Sequence, residues 1–413
     1  MKILFVIPYA PTPVRSRPYH LIRALADRGH HVTVATLWRS AAEHRGMCNA
    51  LAGVEAFVGA QASTWRSIWN ATRALPTGQP MQAHFSWHQP LARTLSSLVR
   101  QQQFDVVHVE HLRGARYALA LADALAAGGG ARSAVVWDSV DCISDLMRQA
   151  AARGRGVAVR WVARLELPRT ERYEAAVVSR FARVLVTSVR DRDSLLQLAA
   201  RHGHARTPPV ERVVVLPNGV DLERFTPPRE RREEATLVMS GKMSYHANVA
   251  AVLRFADDVL PKILARRRDV RFVIVGQDPP ADVRRLAQRP GVSVTGTVDD
   301  VRPYLQRATI AVAPIDYGVG IQNKVLESFA CATPVVATSA AIHALGVTSG
   351  RELATADRPE EFAREVLRLL QSPEERSRLG QAGRRYVESH HGWSAICRRL
   401  EDVYADAASA AVA

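Results

Sequence analysis

Residues 314–337 read PIDYGVGIQNKVLESFACATPVVA, and three parts can be separated within them. The apolar run 309–314 that leads in is of the kind that forms a buried parallel strand. Residues 316–320 are a glycine-punctuated loop. From 322 to 332 the apolar residues Val325, Leu326, Phe329 and Ala330 recur at helical spacing, Thr333-Pro334 stops the helix, and 335–337 begins another strand. A strand, a glycine loop and a helix N-terminus in that order make an anion cradle, because the free amides of the first turn and the positive end of the helix dipole point at one spot. Gly318 and Gly320 let backbone approach a ligand closely. Lys324 stands in the first turn, and Glu327, three residues on, shares its face. A cation for phosphate beside a carboxylate for paired hydroxyls suits a sugar nucleotide. An ordinary loop carrying a surface Lys–Glu pair fits the stretch alone equally well.

Working outward, the second half alternates strands and helices. Residues 213–216 read as its first strand, followed by the turn Pro217-Asn218-Gly219-Val220-Asp221. Strand 236–240 opens into Gly241-Lys242-Met243, and a helix is expected over 248–264. Strands 272–275, 292–294 and 309–314 follow, separated by helices at 282–288 and 299–306. Helices 359–371 and 373–388 each begin with proline in the first turn; a last helix covers 393–404, and the alanine-rich tail is expected to fray. Lys242 and Lys324 each follow a strand, and two cations on one site suit a diphosphate.

The first half opens with strand 3–7, a proline-rich loop carrying Arg15 and Arg17, a helix over 19–27 and strand 32–36, which is a βαβ unit and therefore a parallel sheet. Further strands are expected at 54–58, 105–109, 133–137 and 183–187, the last closing the half, with the boundary at 202–209. Polar residues at the C-terminal ends of parallel strands sit where such sheets bind ligands. His111 and Asp138 are therefore candidate reaction-centre groups, with a helix N-cap or plain loop residue as the competing reading. Residues 63–88, with Trp65, Trp69, Phe85 and Trp87, fit no element clearly; irregular packing is preferred over an acceptor contact.

A chain of 413 residues is comfortable for two domains, and 47% apolar with 23% charged residues is a well-cored composition. The net charge of +15 and pI near 10.4 are carried mainly by arginine. That favours phosphates, anionic lipid surfaces or nucleic acid, against the alternative of arginine standing where other proteins carry lysine. The stretch 148–183 holds nine arginines against three glutamates, which suits an anionic membrane surface, or simply a solvated charged face. Cys48, Cys142, Cys331 and Cys397 lack metal-ligand spacing and read as reduced thiols. The start MKILFVIP reads as a strand rather than a signal peptide, and no run has membrane-spanning length. A cytoplasmic protein is expected, with peripheral contact at the inner face of the plasma membrane. No metal is expected, and no nucleic-acid module is recognisable.

The order of PNGVD after a strand, GK before a helix, VTGTVDDVRPYL, and GVGIQNKVLESFACATPVVAT resembles the retaining glycosyltransferases of the GT-B fold, family four-like, group 1, and within them the branch found with exopolysaccharide gene clusters. The resemblance implies an α/β fold of two Rossmann-like, doubly wound parallel-sheet domains facing a central cleft: an acceptor domain over 1–205, a nucleotide-sugar domain over 206–388, and a C-terminal helix over 389–413 crossing back to the first. Carried over, it implies that Lys242, beside Gly241, and Lys324 meet the diphosphate, that Glu327 bonds the ribose, and that Gly318, Gly320, Ile321 and Gln322 line the phosphates with backbone. Gly296 to Val298 would contact the base. Asp138 falls where many members carry a His beside the transferred sugar. Asp138, Lys242, Lys324 and Glu327 are thus the implied catalytic set, and Arg15, Arg17 and His111 the acceptor-side candidates. Two positions depart from the pattern. The first glutamate of the family pair is Val319 here, with Asp316 as the nearest substitute, and the glycine-rich loop after the first strand is replaced by Pro11-Thr12-Pro13-Val14-Arg15.

The expected reaction is transfer of a sugar from a UDP- or GDP-sugar to a hydroxyl of a glycan or lipid-linked acceptor, with retained configuration and no cofactor. Two other readings are carried: a catalytically inactive sugar-nucleotide-binding scaffold, and a GT-B-fold sugar-nucleotide epimerase. Fold alone does not choose among them.

Overall fold

The computed structural model describes residues 1–13, 15–127, 133–154, 156–202 and 210–412. It divides into two compact units, Met1–Arg148 with Val162–Pro217 and Trp393–Ala413, and Gln149–Trp161 with Asn218–Gly392.

The first unit is built on strands β1 (Lys2–Ile7), β2 (His31–Trp38), β3 (Ala56–Gln61), β4 (Val106–Glu110), β5 (Ala134–Val140), β6 (Arg183–Val186) and β7 (Val213–Val215). Their order is β3-β2-β1-β4-β5-β6-β7, every neighbouring pair parallel. The central strands are continuous apolar runs because both faces are covered. In β1, Leu4 and Val6 enter one apolar cluster while Ile3, Phe5 and Ile7 enter another on the opposite face, as the two-residue period of a strand requires. The second cluster is completed by Ile396, Cys397, Leu400 and Tyr404 of the C-terminal helix Trp393–Val412, whose Trp393 stacks on His20 with ring centroids 5.1 Å apart. The alanine-rich tail does not fray at 404; helix continues to Val412. Alanine has the highest helix propensity, so the tail extends a helix already nucleated by packing.

The second unit carries β8 (Thr236–Ser240), β9 (Arg271–Val275), β10 (Val292–Val294), β11 (Ile310–Ala313), β12 (Val335–Ala337) and β13 (Ala354–Thr355) in the order β10-β9-β8-β11-β12-β13. All pairs are again parallel. In both sheets the strand order reverses beside the first strand, between β1 and β4 and between β8 and β11. Those topological switch points are where open α/β sheets bind ligands.

Three expectations need correction. Residues 213–216 do not open the second half: β7 pairs with β6 and closes the first sheet, so the first unit runs to Pro217 and β6 is not its last strand. A three-residue run of valine carries no mark of which sheet it joins. Of the expected boundary at 202–209, residues 203–209, with the 205/206 division among them, lie outside the described residues. Residues 63–88 are mostly helical, as Thr64–Ala74, a 3₁₀ turn Leu75–Thr77 and Met81–Phe85. The arginine-rich stretch is also less free than its composition suggests. Arg148 pairs with Glu171 (2.7 Å) and Asp145 (3.1 Å), Arg169 with Glu166 (3.0 Å), and Arg180 with Asp123 (2.9 Å). Glu174, buried, accepts the amides of Ile143 and Ser144 at 2.8 and 3.0 Å and so caps the helix Ile143–Arg153.

Candidate functional site

At the switch point of the second sheet, β8 ends in Gly241-Lys242 and β11 in the glycine loop. The helix Asn323–Ala330 starts beyond that loop and presents Lys324 in its first turn. The Lys324 ammonium donates to Asn248 Oδ1 (3.0 Å) and Gln322 Oε1 (2.9 Å). Asn248 in turn donates to the Lys242 carbonyl (2.9 Å), so one side chain ties both loops together. Gly241 lies against Lys324: a Cβ added there would stand 3.3 Å from Lys324 Cε and 2.9 Å from Asn248 Nδ2. Burial pushes the Lys324 ammonium down to about 8, with Glu327 opposing. Burial pushes the Glu327 carboxyl up to about 7, against Lys324 and Arg224. Both partners of Lys324 are neutral amides. The carboxylate that acts on its charge is Glu327, which makes no hydrogen bond to it among the described residues.

The loop itself is shaped for close approach. Gly320 has φ +63°, Ile321 is buried, and the Gly318 amide donates to the Gln149 side chain of the same unit (3.0 Å). Lys242 is exposed, and its ammonium makes no hydrogen bond or ion pair among the described residues. Asp316 does not stand in for the missing glutamate, because its carboxylate is paired with Arg254. Gly296, φ +69°, is drawn to the same backbone cluster through its carbonyl, which accepts the Gly276 amide (3.3 Å). The Val298 side chain lines instead a cavity of about 680 Å³ together with Thr236, Arg271 and Tyr304. A larger cavity, about 850 Å³, opens where Ala235, Thr309 and Pro334 precede β8, β11 and β12, at the opposite strand ends. Topology and charge, not size, single out the glycine loop.

In the first unit, Arg17 and Asp138 are brought together, but as each other's partners. Arg17 Nε and Nη2 donate to the two Asp138 oxygens at 2.8 and 3.2 Å, and Nη1 donates to the Leu216 and Pro217 carbonyls at 3.0 and 3.3 Å. Both side chains are buried, and the Val140 amide adds a third bond to Asp138 (3.1 Å). Burial pushes the Asp138 carboxyl up, but the Arg17 guanidinium and the neighbouring His108 more than offset this and hold it down at about 2. Arg17 is therefore not a free cation, and Asp138 is not a free carboxylate. Arg15 is partly exposed; its Nη1 donates to the Ala10 carbonyl (2.8 Å) and its guanidinium lies 4.7 Å over the Tyr9 ring. His111, φ +67°, accepts the Arg113 amide at Nδ1 (3.3 Å), and burial with Arg113 nearby pushes it down to about 3. It stays neutral at working pH. Beside it Glu110 is pushed up to about 8 by burial and then by Asp138. Among the described residues, Glu110 Oε2 and Arg113 Nε are buried without a hydrogen-bond partner. At this switch point Arg17 and Asp138 are spent on each other, while Glu110 and Arg113 each keep one unbonded polar atom among the described residues.

Comparison with known proteins agrees with this architecture. The pattern of Glycosyltransferase Family 4 matches residues 16–224, half of the chain, and that of Glycosyl transferases group 1 matches 234–372. The chain belongs to Glycosyltransferase Family 4. Among curated relatives, this family 4 chain is 30% identical over 218 residues to D-inositol 3-phosphate glycosyltransferase 2 of Catenulispora acidiphila, covering 47% of this chain and 50% of that one. It is 30% identical over 210 residues, 46% and 55% of the two chains, to the GDP-mannose-dependent monoacylated alpha-(1-6)-phosphatidylinositol monomannoside mannosyltransferase of Corynebacterium glutamicum. The chain thus spans about half the length of these relatives. Among solved structures, HepE of Anabaena in complex with UDP superposes with a TM-score of 0.69 at 13% identity, covering 98% of this chain and 100% of that one. Sucrose-phosphate synthase of Thermosynechococcus elongatus gives 0.69 at 16%, covering 99% and 100%. Such likeness shows the fold, which is GT-B.

Three residues of this candidate site escaped the sequence reading. Asn248 holds Lys324 and the Lys242 loop, His246 bonds the Tyr317 hydroxyl at 2.8 Å, and Gly276 lets the loops after β8 and β9 touch. A Cβ on Gly276 would stand 1.7 Å from the Gly241 carbonyl oxygen. The signal for Gly276 was present: a strand ending in Val-Gly-Gln, like the strand ending in Ser-Gly-Lys. Gly276→Ala is expected to lower the urea midpoint by the equivalent of about 1–3 kcal/mol at unchanged slope. An unchanged midpoint would show that the loops separate at no cost.

Proposed function

We propose that the protein transfers a sugar from a UDP- or GDP-sugar to a hydroxyl of a glycan or lipid-linked acceptor, with retention of anomeric configuration. The observation that carries this reading is the Lys324 ammonium, half-buried at the switch point and hydrogen-bonded only to the neutral amides of Asn248 and Gln322. Lys324 and Lys242 would meet the diphosphate together with the amides of 320–322 and the dipole of the helix Asn323–Ala330. Glu327, whose carboxylate makes no hydrogen bond or ion pair among the described residues, would accept hydrogen bonds from the ribose hydroxyls. In the reaction the bond from the anomeric carbon to the diphosphate oxygen breaks, the acceptor oxygen bonds to that carbon on the same face, and the acceptor proton passes to the leaving phosphate. The ammonium groups stabilise charge growing on that phosphate, a task needing no metal or other cofactor. Retention by front-face attack suits a protein whose Asp138 is held by Arg17 and so is not a free nucleophile.

The names of the curated relatives support an acceptor with a phosphorylated polyol or glycolipid character, as an intermediate of cell-surface polysaccharide or glycolipid assembly at the cytoplasmic face of the membrane. Among the described residues no helix is long and apolar enough to cross a membrane, and no cluster of three or more His, Cys, Asp or Glu side chains could hold a metal.

The test is a binding and turnover screen of UDP- and GDP-sugars with EDTA present. Slow release of UDP or GDP from one donor, accelerated by a hydroxyl acceptor, is the expected result. Tight binding without release for any acceptor would favour the inactive scaffold. Conversion of the donor with no acceptor and no nucleotide release would favour the epimerase, and no binding at all would overturn the reading of the loop.

A further inference from the structure

The helix Thr64–Ala74 is turned inside out. Trp65, Ile68 and Trp69 occupy one stripe, at i, i+3 and i+4, and are 81%, 45% and 63% exposed, while Ala74 is its one buried residue. A helix of a globular domain puts that stripe on the core. This one is nevertheless anchored: Asn70 Nδ2 donates to the Trp87 carbonyl (2.8 Å), and Arg169 donates to the Leu75 carbonyl just past its end (3.1 Å). The outward stripe is therefore a built surface.

Its charge is one-sided. From Ala56 to Phe104, 49 residues, there is no Asp or Glu, but there are four arginines, Arg66, Arg73, Arg93 and Arg100. About a quarter-turn round the helix from Trp65, Arg66 and Arg73 join Trp69 of the stripe in lining a cavity of about 500 Å³ with His84, Trp87 and Arg116. Arg116 lies 4.1 Å over the Trp87 ring and donates to His84 (2.9 Å). Arg66 and Arg73 have no ion-pair partner among the described residues.

We propose that this helix is a docking face for an anionic lipid bilayer, with Trp65, Ile68 and Trp69 seated at the boundary of headgroups and acyl chains and lipid phosphates held at the rim by Arg66, Arg73 and Arg116. Tryptophan favours that boundary, and an amphipathic helix with basic flanks lies in its plane. Guanidinium groups bind phosphate bidentately. A complete lack of carboxylates across 49 residues fits a surface whose partner is negative everywhere. The arginine-rich stretch 148–183 is the weaker candidate, since Arg148, Arg169 and Arg180 already spend their charge on carboxylates.

The experiment is cosedimentation of the full chain with phosphatidylcholine vesicles, with and without phosphatidylglycerol, at low and high salt. Wild type is expected to bind only the anionic vesicles, less so at high salt. Trp65→Ala/Trp69→Ala is expected to lose binding, and Arg66→Gln/Arg73→Gln to lose it about tenfold or more at low salt. Both variants alter surface residues only, and retained circular dichroism and nucleotide-sugar binding verify their fold. Equal binding to both kinds of vesicle, no binding, unchanged binding in both variants, or an equal loss in Trp161→Ala would each overturn the proposal. So would self-association of wild type that the tryptophan variant abolishes in the absence of lipid, which would make the occupant a second copy of the chain.

Discussion

Replacing Lys324 with alanine is expected to lower kcat/KM for the sugar nucleotide by about 10²–10³-fold, the usual cost of removing one preorganised group that stabilises a developing oxyanion. On stability the substitution has two effects of opposite sign. Burial holds the ammonium down at about 8, so the folded chain binds this proton less tightly than the unfolded one, and below that pH the charge detracts from stability. Its removal also frees Asn248 Oδ1 and Gln322 Oε1, a small loss that opposes the gain. Activity and stability should therefore separate cleanly in this variant. The pH dependence of donor affinity follows from the same two groups. A diphosphate needs the ammonium, so affinity should fall as pH rises through about 8. Ribose hydroxyls donate to an ionised carboxylate, so affinity should also fall as pH drops through about 7. Calorimetric titration with a UDP- or GDP-sugar across this range reads both limbs. Glu327→Gln should erase the acid limb and keep the alkaline one. An acid limb that survives in Glu327→Gln would remove Glu327 from the ribose.

The glycine loop was legible because every level of its sequence agreed. The apolar run 309–314, two glycines, and Lys324 and Glu327 three residues apart are all local, and the switch point then put Gly241-Lys242 beside them as the order of strands requires. What was not legible is what each charge does once the chain is folded. Arg17 and Asp138 are 121 residues apart, and nothing in either neighbourhood says that one neutralises the other. Asp316 pairs with Arg254, again far from it in sequence. A surplus of arginine looked like a free basic surface, yet many of these side chains end on carbonyls. Arg232 alone reaches the carbonyls of Leu305, Gln306, Ala308 and Cys331, closing helix ends that lack another cap. The assignment of β7 failed for the same reason: its partner β6 is set by packing, not by its own valines. Residues 63–88 suggested irregular packing because their tryptophans stand among polar residues without a clear period, yet the stretch is mostly helical and points Trp65 and Trp69 outward.

Asp138→Ala is expected to cost about 3–5 kcal/mol of unfolding free energy, because it leaves the Arg17 guanidinium buried with no countercharge. The carbonyls of Leu216 and Pro217 remain as neutral acceptors for Arg17, which is why the loss should stay within that range. Asp138→Leu combined with Arg17→Met should recover most of it, since replacing a buried pair with apolar groups of similar volume is often near neutral whereas breaking one is not. The acid limb of stability gives an independent reading. The folded carboxyl sits at about 2 against an ordinary 3.8. Its contribution is therefore present above the ordinary value and lost as pH falls toward about 2, and Asp138→Ala should lack that part of the acid dependence. Urea unfolding of the two single variants and the double variant at neutral pH, repeated toward the acid end, decides the matter. Under the structural role, turnover per folded molecule in the double variant stays within about tenfold of wild type, because no reacting group has been lost. A collapse of turnover in Asp138→Ala with the urea midpoint unmoved would mean that Arg17 gives up its partner in the working enzyme, and would return Asp138 to the reacting centre.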